Sequence, residues 1–268
     1  MLSFEERKEI FTKIRALVVH KIGDISINQT DNIITTACVN LTAVGLVSNF
    51  VMIIDMIKNF ILMIFNSALA GLGNVLAVED EETKVRVSYY YDFLGFCFFG
   101  WSALVLFFCL TPFITLWLGE SRLIDNVTVA LLCINYYVMG SRVPFGNGRT
   151  AAGAFEYDKW VPFAQAVTNV VVSIVGANLW GLKGIYIGTL VSSLFPTLTR
   201  PYVVHKYVFH RKSGKYFCRY FLRMVFLLAV ASIVAALLKV LTVANPYVDF
   251  LLTAAISALV PLGLLVLV

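Results

Sequence analysis

Charge is what this sequence has least of. Asp, Glu, Lys and Arg make up 14% of its 268 residues, against 59% hydrophobic, and the mean hydropathy is +0.83. Soluble domains carry about 25% charged residues, so this composition excludes an ordinary soluble domain. The five cysteines (Cys38, Cys97, Cys109, Cys133 and Cys218) are scattered through apolar stretches with no CxxC pair. That distribution argues against a disulfide framework and against a cysteine metal site. There is no phosphate-cradling glycine loop, no GxSxG and no paired nucleophile and base. Nothing in the sequence therefore points to an enzyme, and no metal or cofactor is expected. A secretory signal is also missing: residues 1–15, "MLSFEERKEIFTKIR", are charged and slightly amphipathic, and read as a cytoplasmic lead-in.

What the sequence has instead is long apolar runs. Crossing a bilayer takes roughly 20 residues of helix. Runs of that order lie at about 93–118, 123–140, 160–180, 184–199, 218–243 and 246–268. Two more, about 18–38 and 44–69, are long enough but carry polar residues. The expectation is an all-α integral membrane protein of about eight transmembrane helices. Uninterrupted stretches such as "FLGFCFFGWSALVLFFCL" are not the short alternating segments of a β-barrel.

Basic residues orient these spans. With the N-terminus inside, all but four of the 21 Lys and Arg fall in or beside cytoplasmic segments. The exceptions are Arg122, Lys183 and Lys239 outside and Lys58 within a helix. Excess Lys and Arg on the cytoplasmic side is the normal bias of multi-pass proteins, so both termini are expected in the cytoplasm. The +5 net charge then faces anionic headgroups, and nucleic acid is not an expected partner. The acidic run "EDEE" at 79–82 reads as a solvated face. The three histidines, His20, His205 and His210, read as solvated or headgroup-facing.

Two of the apolar segments carry charge in a pattern. On a helix, Lys21, Asp24, Asn28, Asp31 and Thr35 step by three and four residues and share one stripe, with Asn32 beside it. Ile22, Ile27, Ile33, Ile34 and Ala37 take the other side. The next segment repeats the arrangement with Ser48, Met52, Asp55, Asn59 and Asn66, and Lys58 adjacent. Asp55 is spaced to pair with Lys58 or Asn59. An ionisable group at membrane depth costs at least about 2.5–3.5 kcal/mol on insertion scales and generally marks a pathway. Asp24, Asn28, Asp31, Asn32, Asp55, Lys58 and Asn59 are therefore the candidate ion or substrate pathway.

Later polar features read as packing. Gln165, Asn169 and Ser173 line one side of their span, and Gly184 and Gly188 form a small-xxx-small face for close helix contact. Residues 224–268 carry only Lys239 and Asp249 as charges. The organisation expected is a lead-in (1–15), a polar-lined six-helix bundle (16–205), a basic cytoplasmic linker (206–217) and a lipid-facing two-helix hairpin (218–268).

The motifs "INQTDNIIT", "VGLVSNFVMI", "TPFITLWLGE", "INYYVMGSR", "QAVTNVVVSI", "GLKGIYIGT" and "RPYVVHKY" occur in an order that resembles the C-terminal half of bacterial polysaccharide (oligosaccharide) flippases. Those flippases sit within the superfamily that includes multidrug and toxin exporters. The resemblance implies two pseudo-symmetric bundles around a cavity in the bacterial cytoplasmic membrane. It implies alternating-access transfer of an oligosaccharide carried on undecaprenyl diphosphate, coupled to H+ or Na+. It also implies that only the second bundle and the extra hairpin are present here, so a separately encoded first half or self-association is needed. Asp31 and Asp55 are then the candidates for the coupling ion, and Lys58 and Arg142 for the diphosphate, whose oxygens suit an ammonium and a guanidinium. Two alternatives stay open: export of small cationic drugs by the same architecture, and a non-transporting scaffold or inactive truncated remnant.

Overall fold

The computed structural model describes residues 30–241 and 243–266. Among them there is no strand. A helix over 30–38 (α1) is followed by α2 (Leu41–Ser67), α3 (Leu69–Val78), α4 (Glu81–Leu118), α5 (Asn126–Ser141) and α6 (Val143–Ala151). Then come α7 (Val161–Trp180), α8 (Leu182–Val203), α9 (Gly214–Val240) and α10 (Pro246–Val266). Among the described residues, five stretches are long and apolar enough to cross a membrane: Leu41–Val78, Glu81–Leu118, Glu156–Trp180, Gly214–Val240 and Pro246–Leu265. The protein is all-α, with the helices of a membrane protein.

The expected spans at 123–140 and 184–199 correspond to α5 and α8, which are helical but are not among those five. α5 has 16 residues, about 24 Å at 1.5 Å per residue. α8 contains Pro196 and Pro201 and buries Thr189, Ser192, Ser193 and Thr197. Each turns its polar side to protein: α5 packs against α4 and α8, and α8 against α5 and α7, while Val191, Leu194 and Leu198 of α8 stay exposed. A helix walled by protein can carry polar residues that lipid would not accept.

Caps fix where the helices begin. Asn40 accepts from the Ala43 amide at 2.7 Å, Asp80 from Thr83 at 2.9 Å and Asp125 from Thr128 at 3.1 Å. The "EDEE" run is exposed as expected, yet it also starts α4. Asp80 is the cap, and Glu81 and Glu82 sit in the first turn, where the helix dipole favours them. α4 therefore begins twelve residues before the apolar run at 93. Its 38 residues span about 57 Å, nearly twice the hydrocarbon thickness of about 30 Å.

The main core lies between α2, α4 and α5, around Phe50, Phe65, Phe99, Leu110, Ile114 and Tyr136. Gly140 is part of that fit, since a Cβ there would overlap the Phe99 ring. α7 and α8 form the tightest pair, turned about Gly181 at φ +60°. Gly184 lies against Gly176, and Gly188 against Ser173, so closely that a side chain on either would overlap backbone. The small-residue face expected at Gly184 and Gly188 is thus in contact, and Gly176 completes it.

Two regions differ from the sequence reading. Residues 142–159, expected as a cytoplasmic connection, fold into α6 and the turn after it. There Arg149 is buried and paired with Asp158 at 2.5 Å, beneath the Phe155 ring. Asn147 donates to the Tyr91 hydroxyl (2.9 Å) and the Phe65 carbonyl (3.3 Å), tying α6 to α4 and α2. His205, expected at the solvent or headgroup surface, is 1% exposed. It lies in a π-helical turn, Val204–Val208, with Nδ1 2.7 Å from the Pro201 carbonyl and Nε2 3.0 Å from the Tyr89 hydroxyl. Both ring nitrogens have partners, which is why the ring can be buried. His210 is exposed, and His20 lies outside the described residues.

The last two helices present Phe221, Leu228, Leu251 and Leu259 outward. Their inner side is anchored by polar contacts that composition did not show. Trp101 donates to the Ala258 carbonyl at 2.9 Å, and Arg223 pairs with Asp92 of α4 at 2.5 Å. All five cysteines are free thiols.

Candidate functional site: a carboxylate at the junction of three helices

The Gly181 turn sets α7 beside α8 so that Gln165, Asn169 and Ser173, one helical turn apart, all face inward. Each is essentially inaccessible to solvent. Ser173 donates to the Ile185 carbonyl at 3.1 Å, and Asn169 Nδ2 to the Thr189 hydroxyl at 3.2 Å. Asp31 reaches this pair from α1: Thr189 donates to Asp31 Oδ2 at 2.8 Å, and the Asn169 side chain also borders the carboxyl. Asp31, Thr189 and Asn169 thus form one chain of polar groups joining three helices.

The cluster is incompletely satisfied. Among the described residues, Asp31 Oδ1 and Asn169 Oδ1 are both buried without a hydrogen-bond partner, as is Gln165 Nε2 one turn away on α7. Buried polar atoms nearly always have partners, and one left without costs about 1–3 kcal/mol, more when charged. Two unpaired acceptor oxygens in one cluster call for a proton or a cation. Oxygen ligands of this kind suit hard monovalent or divalent cations rather than thiophilic metals.

Of the polar stripe, the two described members, Asp31 and Thr35, face this junction. Thr35 is 2% exposed and donates to the Asp31 carbonyl at 2.6 Å. Ile34, expected on the outer face, is buried with Ala177 and Ile185. Ile33 and Asn32 are exposed. Asp24 and Asn28 lie outside the described residues.

The other candidates stand elsewhere. Lys58 and Asp55 form the expected pair along α2, half-exposed. Asn59, Ser48 and Asn66 are exposed on the same side. α2 packs against α3, α4, α5 and α6, and no hydrogen bond or ion pair joins Asp55 or Lys58 to Asp31. Arg142 is 6% exposed at the end of α5 and donates to the Ser193 carbonyl of α8 at 3.3 Å. The structure thus brings Asp31 together with α7 and α8, and no bond joins it to the Asp55–Lys58 pair.

Asn169 and Thr189 are the residues the sequence reading passed over. The available signal was the four-residue spacing of Gln165, Asn169 and Ser173, which sequence reasoning assigned to packing. The geometry defines a class: a helical membrane protein with an ionisable carboxylate held inside a helix junction. Comparison with family models, with curated proteins and with solved structures finds no match to this chain.

Proposed function

We propose that the chain is one half of a membrane transporter, with Asp31, Thr189 and Asn169 as the group that answers to the coupling ion. The observation that carries this reading is the Asp31 carboxylate itself. One oxygen is held by Thr189, and the other is buried without a partner among the described residues, in the same cluster as an amide oxygen of which the same is true. A proton or a cation such as Na+ arriving there relieves the unpaired acceptors, and its departure restores them. A junction of α1 with α7 and α8 is in this way biased by ion occupancy, which is what an alternating-access carrier requires of its coupling site.

The cargo follows from the sequence resemblance: an oligosaccharide on undecaprenyl diphosphate, moved across a bacterial cytoplasmic membrane. Eight spans with both termini inside belong to the same reading. So does a second bundle, because the Asp55 stripe of α2 is exposed on this chain. One observation favours the alternative of a small cationic cargo. Lys58 is already paired with Asp55 and Arg142 is buried against a backbone carbonyl, so neither base is free-standing for a diphosphate.

The test is surface display of polysaccharide in cells lacking the corresponding flippase. The chain is expressed alone and together with the upstream half. Display is expected only on co-expression, and Asp31→Asn should abolish it at unchanged protein abundance. Wild-type display by the Asp31→Asn protein, with unchanged dependence on proton and sodium gradients, would overturn the assignment. Display by residues 1–268 alone would overturn the half-transporter reading.

A further inference from the structure

α4 and α9 start side by side and run in the same direction, joined by the Arg223–Asp92 pair. Between them lies a groove of about 670 Å³. Its α4 wall is formed by Arg86, Tyr90 and Phe93, and its α9 wall by Arg219, Leu222 and Phe226. On each wall a guanidinium at the rim gives way to aromatic or aliphatic surface over seven residues, about 10 Å along the helix axis. The two gradients run in parallel. They begin where α4 extends past its apolar run, which starts at residue 93.

Charge in the groove is unbalanced. Arg223 is neutralised by Asp92 and covered by the Phe96 ring at 5.0 Å. Arg219 stacks on Tyr89 at 4.6 Å, and Arg86 reaches only the Thr83 hydroxyl, at 3.5 Å. Among the described residues neither Arg86 nor Arg219 forms a close ion pair, with Asp80 and Asp92 acting on them only at longer range, and both are exposed. Two guanidiniums above an apolar trough match a ligand with a phosphate at one end and a hydrocarbon chain at the other. A free phosphate would leave the trough open to lipid or water. A zwitterionic lipid would fill the trough, but its headgroup ammonium would offset the phosphate charge and repel the two guanidiniums.

We propose that this groove binds an anionic glycerophospholipid, with its phosphate held by Arg86 and Arg219 and an acyl chain along Phe93, Leu222 and Phe226. Guanidinium groups engage phosphate oxygens two at a time, which fixes the headgroup as well as attracting it. The experiment is native mass spectrometry of the full chain, released from micelles containing phosphatidylglycerol or phosphatidylcholine. The wild-type protein should retain phosphatidylglycerol preferentially. Arg86→Gln and Arg219→Gln should each weaken retention roughly fivefold, the effect of one basic side chain at an anionic surface. Lys239→Gln, at the far end of α9, should leave it unchanged. Equal retention of the two lipids by the wild-type chain, a measurement that needs no variant to fold, would overturn the proposal. So would undiminished retention by the Arg86→Gln/Arg219→Gln protein, or displacement of the lipid by an equal concentration of inorganic phosphate.

Discussion

Removing Arg223 should uncouple α9 from the rest of the bundle. Its guanidinium meets Asp92 at 2.5 Å, and the two side chains are only 10% and 3% exposed. Truncating one member of a buried pair strands the other charge and costs about 3–5 kcal/mol. Loss of the contacts with Phe96 and Phe93 adds about 0.5–2 kcal/mol, the range for a cation over an aromatic face. Arg223→Met and Asp92→Leu should therefore each destabilise by at least about 3 kcal/mol. The double substitution, which puts two apolar side chains in contact, should return to within about 2 kcal/mol of wild type. The Lys84–Glu81 pair supplies an internal scale, being 3.3 Å long with Glu81 53% exposed. Lys84→Met should cost no more than about 1 kcal/mol. Equilibrium unfolding in mixed micelles measures all four proteins, and hydrogen exchange locates the change. Amides of α9 should lose protection first, while those of the α7–α8 pair keep theirs. Single substitutions within about 1 kcal/mol of wild type, or strictly additive effects, would refute the claim that this pair anchors the hairpin.

Gly184→Ala should destabilise by about 1–3 kcal/mol or more, because its Cβ would overlap the Gly176 backbone and neither helix can yield without moving whole. Gly71→Ala, with no atom within 4 Å, should be neutral or slightly stabilising in the same thermal unfolding assay, and equal effects at the two sites would contradict the packing described. At the start of α4, hydrogen bonds from the Thr83 side chain and then its amide hold the Asp80 carboxyl below the usual carboxylate range. A lowered folded-state pKa means the cap is fully effective above the ordinary Asp value of about 3.9 and is lost as pH falls through the lower folded value. Exchange at the Thr83 amide should rise over that acid window in the wild-type chain and be high at every pH in Asp80→Ala, whereas pH-independent protection would remove the cap from the account.

The helical class and most span positions were legible because they depend on hydrophobic length, which a single chain displays without its partners. α7 illustrates this: expected at 160–180, it runs from Val161 to Trp180. α4 shows the limit. Hydropathy located its membrane portion from 93, but the start is set by the Asp80 cap, a polar signal lying in what read as an acidic loop. The candidate site was half legible. Asp31 stood out because a carboxylate among isoleucines is costly, and its cost is visible from sequence alone. Its partners did not stand out, because Asn169 and Thr189 are ordinary in a helix and gain meaning only when the Gly181 turn apposes them. Asp92 and Arg223 were missed for the same reason. They are 131 residues apart, and each taken singly sits at a span boundary where charge is unremarkable.

α2 carries the remaining constraint. Its residues divide into three sectors, which is one more than a helix needs at a protein–lipid boundary. Val47, Phe50, Ile54, Ile61 and Phe65 form a buried face. Met56, Phe60, Met63 and Ile64 form an exposed apolar face that hydrocarbon can cover. Between them runs the stripe of Ser48, Met52, Asp55, Asn59 and Asn66, with the Asp55 side chain 44% exposed even while paired to Lys58. Lipid is a poor cover for that stripe: each ionisable group at membrane depth costs at least about 2.5–3.5 kcal/mol, and an exposed local pair recovers little of it. The core is already closed on the other side by α4 and α5, so rotation of α2 would bury the stripe only by exposing Phe50 and Phe65. The fold thus fixes the stripe outward. Under the half-transporter reading proposed above, a second helical bundle facing the stripe across water is the cover its chemistry accepts.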